Sequence, residues 1–194
     1  MITLNRERWE EILTVSARLF REKGYRATTL DDIAAELNVT KPALYYYIKT
    51  KLDLLYAVCE LAINQLLSGA KKIKNSEASL KTKLCDLIRL HVNMFSQSGD
   101  ITSVFLAEEN ELPPEKRTYF RSLSREYEKI LREILQDAVD SGLFRPVDVP
   151  LIARAISGMC NWLSAWYKPG GSLTADQVAE AYCDLLLNGL LRKD

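Results

Sequence analysis

Between Thr28 and Lys51 the chain carries two helix starts separated by one turn residue, and no other stretch restricts the fold so tightly. Thr29 and Asp32 stand as a Thr-x-x-Asp capping box, in which side chain and backbone satisfy each other's unpaired groups at a helix start. Leu30, Ile33, Ala34 and Leu37 follow at helical spacing and give that helix one apolar face. Asn38 tolerates the left-handed backbone of a sharp turn, Val39 fills the angle, and Thr40 is placed to cap a second helix with Pro42 in its first turn. The pattern predicts a helix-turn-helix.

The second helix exposes more than it hides. Leu44 is its inward anchor, while Lys41, Tyr45, Tyr46, Lys49 and Lys51 remain, with no acidic residue between Asn38 and Lys51. Lysines neutralise phosphates, tyrosine hydroxyls donate to phosphate oxygens while their rings touch sugars or thymine methyls, and Lys41 near the helix start is within reach of a base edge. The chain as a whole has 26 basic and 26 acidic residues, which would argue against nucleic acid if charge were spread evenly. Up to Lys51, however, nine Lys and Arg face seven Asp and Glu, and the local charge from Lys41 to Lys51 is +3. Only the facing surface sets the attraction within a Debye length of roughly 10 Å.

From Trp9 to about Leu55 the chain resembles the DNA-binding domain of the TetR family of bacterial transcriptional repressors. The resemblance is carried by the first helix ending at Phe20 and Gly24-Tyr25, then Thr28-Thr29-Leu30, Ile33-Ala34, Val39-Thr40, Leu44-Tyr45-Tyr46, and Lys51 with Leu54-Leu55. Asn38 stands where the family usually has Gly, and Tyr47-Ile48 where His-Phe is commoner. The resemblance implies a homodimer on a palindromic double-stranded operator, released by a small-molecule effector. The candidate DNA contacts are Thr28, Thr29, Thr40, Lys41, Pro42, Ala43, Tyr45, Tyr46 and Lys51.

The rest of the chain reads as helix throughout, all-α, with about nine helices, a three-helix DNA-binding domain at 1–50 and an effector-binding and dimerisation domain at 51–194. Trp9, Ile12, Leu13, Ser16, Ala17 and Phe20 make the first helix amphipathic, and Gly24 is placed to end it. Thr50 with Asp53 opens a fourth helix through Leu67, followed by an expected polar loop at 68–76. Leu80 to Phe95 gives a fifth helix ended by 97–100, then a short apolar piece at 101–106 and an exposed turn at 108–115. A long helix carries Phe120, Leu123, Tyr127, Ile130, Ile134 and Ala138 up to Gly142. From Val149 to Tyr167 both faces are apolar, which predicts burial all round. Thr174 with Gln177 caps a last helix with one stripe at Val178, Tyr182, Leu185, Leu186 and Gly189 and another at Ala179, Cys183, Leu187 and Leu190. Two doubled stripes predict a four-helix bundle shared with a second copy of the chain.

Several function classes fall away. The chain has no GxGxxG, P-loop, G-x-S-x-G or H-E-x-x-H, and the acidic pair Glu108-Glu109 reads as a solvated helix end, so neither catalysis nor a cofactor is expected. Cys59, Cys85, Cys160 and Cys183 are far apart with a single His in the chain, which predicts free thiols and no metal. No signal-peptide core and no run of 18 apolar residues occur, so a cytoplasmic protein without a membrane partner is expected. The candidate effector residues are His91, Phe95, Phe105, Tyr127, Asn161, Trp162 and Trp166, an apolar lining with a few hydrogen-bonding groups. The segment from Gly158 to Gly171 is similar to C-terminal domains of TetR regulators of lipid and steroid catabolism that respond to acyl-coenzyme A thioesters. Two other readings remain at this point: a helical ligand carrier whose hairpin no longer recognises an operator, and an architectural DNA-coating protein, which the net acidic remainder disfavours.

Overall fold

A computed structural model describes residues 2–190; residue 1 and residues 191–194, included in the expected domain limits, lie outside the described residues. Among the described residues there is no strand, and nine α-helices follow one another. They are α1 (Ile2–Lys23), α2 (Leu30–Glu36), α3 (Lys41–Tyr45), α4 (Lys51–Lys74), α5 (Leu80–Glu108), α6 (Pro114–Asp140), α7 (Val149–Asn161), α8 (Leu163–Trp166) and α9 (Ala175–Leu190), with one 3-10 turn at Glu109–Glu111. The punctuation is that of the residues. Gly24 ends α1 at φ +83°, Gly142 follows α6 at φ +74°, and Asn38 turns the chain between α2 and α3 at φ +54°. Thr50 and Asp53 cap α4 reciprocally at 2.8 and 3.1 Å, and Thr174 and Gln177 do the same for α9 at 2.9 and 3.2 Å.

Three expectations are corrected. The loop at 68–76 is helical as far as Lys74. Within it Gly69 serves close packing: a Cβ there would lie 2.7 Å from both methyls of Leu90. The fifth helix does not stop at 97–100 but bends, with Ser98 at φ −141° and ψ 41°, and 101–106 continues it. The segment 149–167 is interrupted at Trp162, and it is not buried all round, since Leu151, Trp162 and Trp166 stay exposed. In α9 the stripe Ala179, Cys183, Leu187 and Leu190 turns inward together with Val178, and Leu185 of the other stripe faces out.

The packing divides the chain elsewhere than at residue 50. One compact unit runs through Ile63 and includes Asp100–Phe120; the other comprises Asn64–Gly99 and the chain from Arg121. The boundaries of these units fall within α4, α5 and α6, helices of 24, 29 and 27 residues. In the first unit Ile12, Phe20, Ile33, Leu44, Leu54 and Leu55 are fully buried. The second has a continuous core that includes Leu84, Leu87, Leu131, Leu135, Ala153 and Leu163.

Candidate nucleic-acid interface and interior cluster

The hairpin is built by its caps. The Thr29 amide donates to Asp32 Oδ2 at 2.8 Å, and the Asp32 amide donates to Thr29 Oγ1 at 3.1 Å. Lys23 Nζ reaches the other carboxylate oxygen at 2.8 Å, so Lys23 first, and Thr29 with it, hold the Asp32 carboxyl well below its usual range. Thr40 Oγ1 accepts from the Ala43 amide at 3.3 Å and starts α3. Leu44 and Ile48 point inward, which leaves Pro42, Ala43, Tyr45, Tyr46 and Lys49 exposed; Tyr46 has 81% of its surface in water. Tyr45 to Lys49, with Trp9, Asp53 and Ala57, line a surface groove of about 510 Å³.

Three candidate residues are placed differently from the expectation. The face of α3 has no acid in sequence, yet Lys41 Nζ donates to Asp31 of α2 at 2.8 Å, a pair that raises the lysine's affinity for its proton. Thr28 is completely buried, and its hydroxyl donates to the carbonyls of Leu19 and Gly24, so it braces the loop after α1 and presents nothing to solvent. The ammonium of Lys51 donates to the carbonyls of Tyr25, Arg26 and Thr28. The involvement of Asp31 was invisible to a reading along the helix, because residues ten apart in sequence on different helices meet only in space.

In the second unit His91, Phe95, Tyr127 and Asn161 come together. His91 lies between Tyr127 Oη, 3.2 Å from Nδ1, and Asn161 Oδ1, 3.0 Å from Nε2, and Phe95 stacks at 6.3 Å. Because Asn161 Oδ1 can only accept, Nε2 carries the proton and donates to it while Nδ1 accepts from the tyrosine, which satisfies a neutral imidazole at both nitrogens. Burial pushes its pKa down to about 4, against the weaker upward pull of the Asn161 bond. Burial likewise raises the Tyr127 hydroxyl and pushes the thiols of Cys59 and Cys160 up to about 12. The other three effector candidates are not part of this cluster. Phe105 belongs to the first unit, edge-on to Phe120 at 6.0 Å, and Trp162 and Trp166 are 67% and 40% exposed. Their helical spacing marked them as apolar without saying which way they face. Among the described residues no helix is long and apolar enough to cross a membrane.

A capped hairpin that turns its tyrosines and lysines outward defines a helix-turn-helix DNA-binding protein, here continuous with an α-helical unit that has a polar group in its core. Comparison with known proteins gives the family. The sequence pattern described as "Bacterial regulatory proteins, tetR family" matches residues 12–58, and that described as "Tetracyclin repressor-like, C-terminal domain" matches residues 77–190. The chain is 30% identical over 182 residues to the HTH-type transcriptional repressor KstR2 of Rhodococcus jostii, spanning 93% of this chain and 89% of that protein. Among solved structures, the TetR-family regulator PfmR from Thermus thermophilus superposes with a TM-score of 0.86 at 38% identity, covering 93% of this chain and 99% of PfmR. AibR, solved in complex with isovaleryl coenzyme A and operator DNA, superposes with a TM-score of 0.81 at 28% identity over 92% of this chain and 97% of AibR. The chain belongs to the TetR family, and it is a ligand-responsive DNA-binding transcriptional repressor.

Proposed function

We propose that this repressor reads a palindromic operator through Thr40, Lys41, Pro42, Ala43, Tyr45 and Tyr46, with Thr29 at the flank and Lys49 beside them. The outward turn of Tyr45 and Tyr46 carries the reading: two large aromatic hydroxyl side chains exposed at the end of a five-residue helix have no core to serve. Lys41 then leaves Asp31 for DNA, an exchange of one surface ion pair for another with little net cost. The two copies pair through the outward stripe of α7, α8 and α9, where Leu151, Trp162, Trp166 and Leu185 face away from the core, and the pairing sets recognition helices roughly 34–36 Å apart. A gel shift on the protein's own upstream region at two salt concentrations tests the reading; binding no tighter than to random duplex would remove it.

The effector is an acyl-coenzyme A thioester held in the second unit. His91, Tyr127 and Asn161 place hydrogen-bonding groups beside an otherwise apolar core, which suits the acyl chain and the thioester carbonyl of such a ligand. The isovaleryl coenzyme A in AibR supports the same class. The protein performs no catalysis and works in the cytoplasm, where operator and thioester are both present. Titration of an acyl-coenzyme A series against the protein–operator complex tests this: release by at least one chain length is expected, and no release by any would discard the thioester while leaving the repressor intact.

A further inference from the structure

A lysine opening the helix after a DNA-reading hairpin is expected, on charge alone, to meet a phosphate. Lys51 has that place, and its surroundings give it a different task. An ammonium has three N–H donors. Three backbone carbonyls take them, those of Tyr25 at 2.8 Å, Arg26 at 3.2 Å and Thr28 at 2.7 Å, and the Tyr25 ring covers the charge at 4.4 Å. The oxygens converge because the chain turns at Gly24 with φ +83° and the Thr28 hydroxyl folds back onto the carbonyls of Leu19 and Gly24. Lys49, two residues earlier, is exposed and lines the surface groove with the tyrosines.

We propose that Lys51 is a positioning residue for operator binding and that the phosphate contact on this side of the hairpin is made by Lys49. The inference rests on the operator reading above. Thr28 immediately precedes Thr29, the cap of α2, and Lys51 is the first residue of α4, so their bond joins the two ends of the segment that contains α2 and α3. That ring sets the angle at which α3 presents Tyr45 and Tyr46. The same loop is held from its other side by the Tyr25 amide on Glu108 at 3.3 Å and by Arg26 on Glu111 at 3.0 Å.

The test compares Lys51→Met with Lys49→Met in the full-length protein, at a temperature where circular dichroism shows each variant folded. Operator affinity is measured across a salt series, and amide hydrogen exchange on the free protein. Lys51→Met is expected to lower affinity about tenfold at every salt concentration, the effect of one lost charge-assisted interaction, with the line of log affinity against log salt parallel to the parent's. Lys49→Met is expected to flatten that line by about one unit, as loss of one phosphate contact does. Exchange at the start of α2 is expected to rise about tenfold in free Lys51→Met, with α9 unchanged. A Lys51→Met line flatter by about one unit, unaltered affinity, or unaltered exchange would each overturn the proposal. Absence of any preference for the upstream region in the parent protein would sink the operator reading instead, and exchange in the free protein still decides whether Lys51 is the latch.

Discussion

The helix starts of the hairpin in the first unit are set by polar groups close in sequence, whereas the second unit is held by an apolar core assembled from distant helices. Around α2 and α3 the key bonds link Thr29 to Asp32 and Thr40 to Ala43, three residues apart in each case. In the second unit the polar cluster joins residues 91, 127 and 161, and the core around it draws on α4, α5, α6, α7 and α9. A surface that must meet DNA keeps its polar groups in water, where each bond contributes little and is easily exchanged. An interior that holds a polar group must satisfy it fully, since an unpaired buried donor or acceptor costs about 1–3 kcal/mol.

This contrast is best broken from the core outward. Leu87→Ala, at a position with no exposed surface, is expected to cost about 2–5 kcal/mol in denaturant unfolding, because both transfer and cavity terms apply. A loss below about 1 kcal/mol would mean that the second unit is not packed as tightly as its burial indicates. Acid separates the two regions next. His91 has its folded pKa depressed from 6.5 to about 4, so the unfolded chain takes up a proton that the folded chain refuses. Stability contributed by this group is therefore present above pH 6.5 and lost as pH falls toward 4, by about 3 kcal/mol in full. Asp32 has its folded pKa depressed as well, and its contribution is lost only below the ordinary carboxylate value of 3.8. Unfolding followed at pH 7 and 4.5 should show the first loss, and His91→Gln should flatten it; an equal slope in the variant would remove His91 as the cause.

Smaller effects sharpen the hairpin side. Thr29→Ala removes the cap of α2 and is expected to cost about 1 kcal/mol, with Thr40→Ala similar at α3. Thermal melts report this, and an unchanged midpoint in both would show that tertiary packing alone holds the hairpin. Asn38→Gly should change stability by less than about 0.5 kcal/mol, since glycine adopts φ +54° without strain, whereas Asn38→Val should lose at least about 1 kcal/mol.

The sequence by itself determined the all-helical class, the hairpin and its caps, the left-handed turn at Asn38 and the family resemblance. These depend on groups within three or four residues of one another, so the chain's local chemistry is enough to specify them. Periodicity also marked Trp162, Trp166 and the stripes of α9 as apolar, and placed His91 and Tyr127 on inward faces. Tertiary structure alone decided the rest. It turned Trp162 outward and Cys183 inward, brought Asn161 onto His91, paired Lys41 with Asp31, and folded Lys51 back onto the carbonyls of residues 25, 26 and 28. The physical reason is the same in each case. A helical repeat states which residues share a face, and a lysine in sequence states a charge, but the partner that takes the face or the charge is supplied by segments 10 to 70 residues away, whose approach is set by packing.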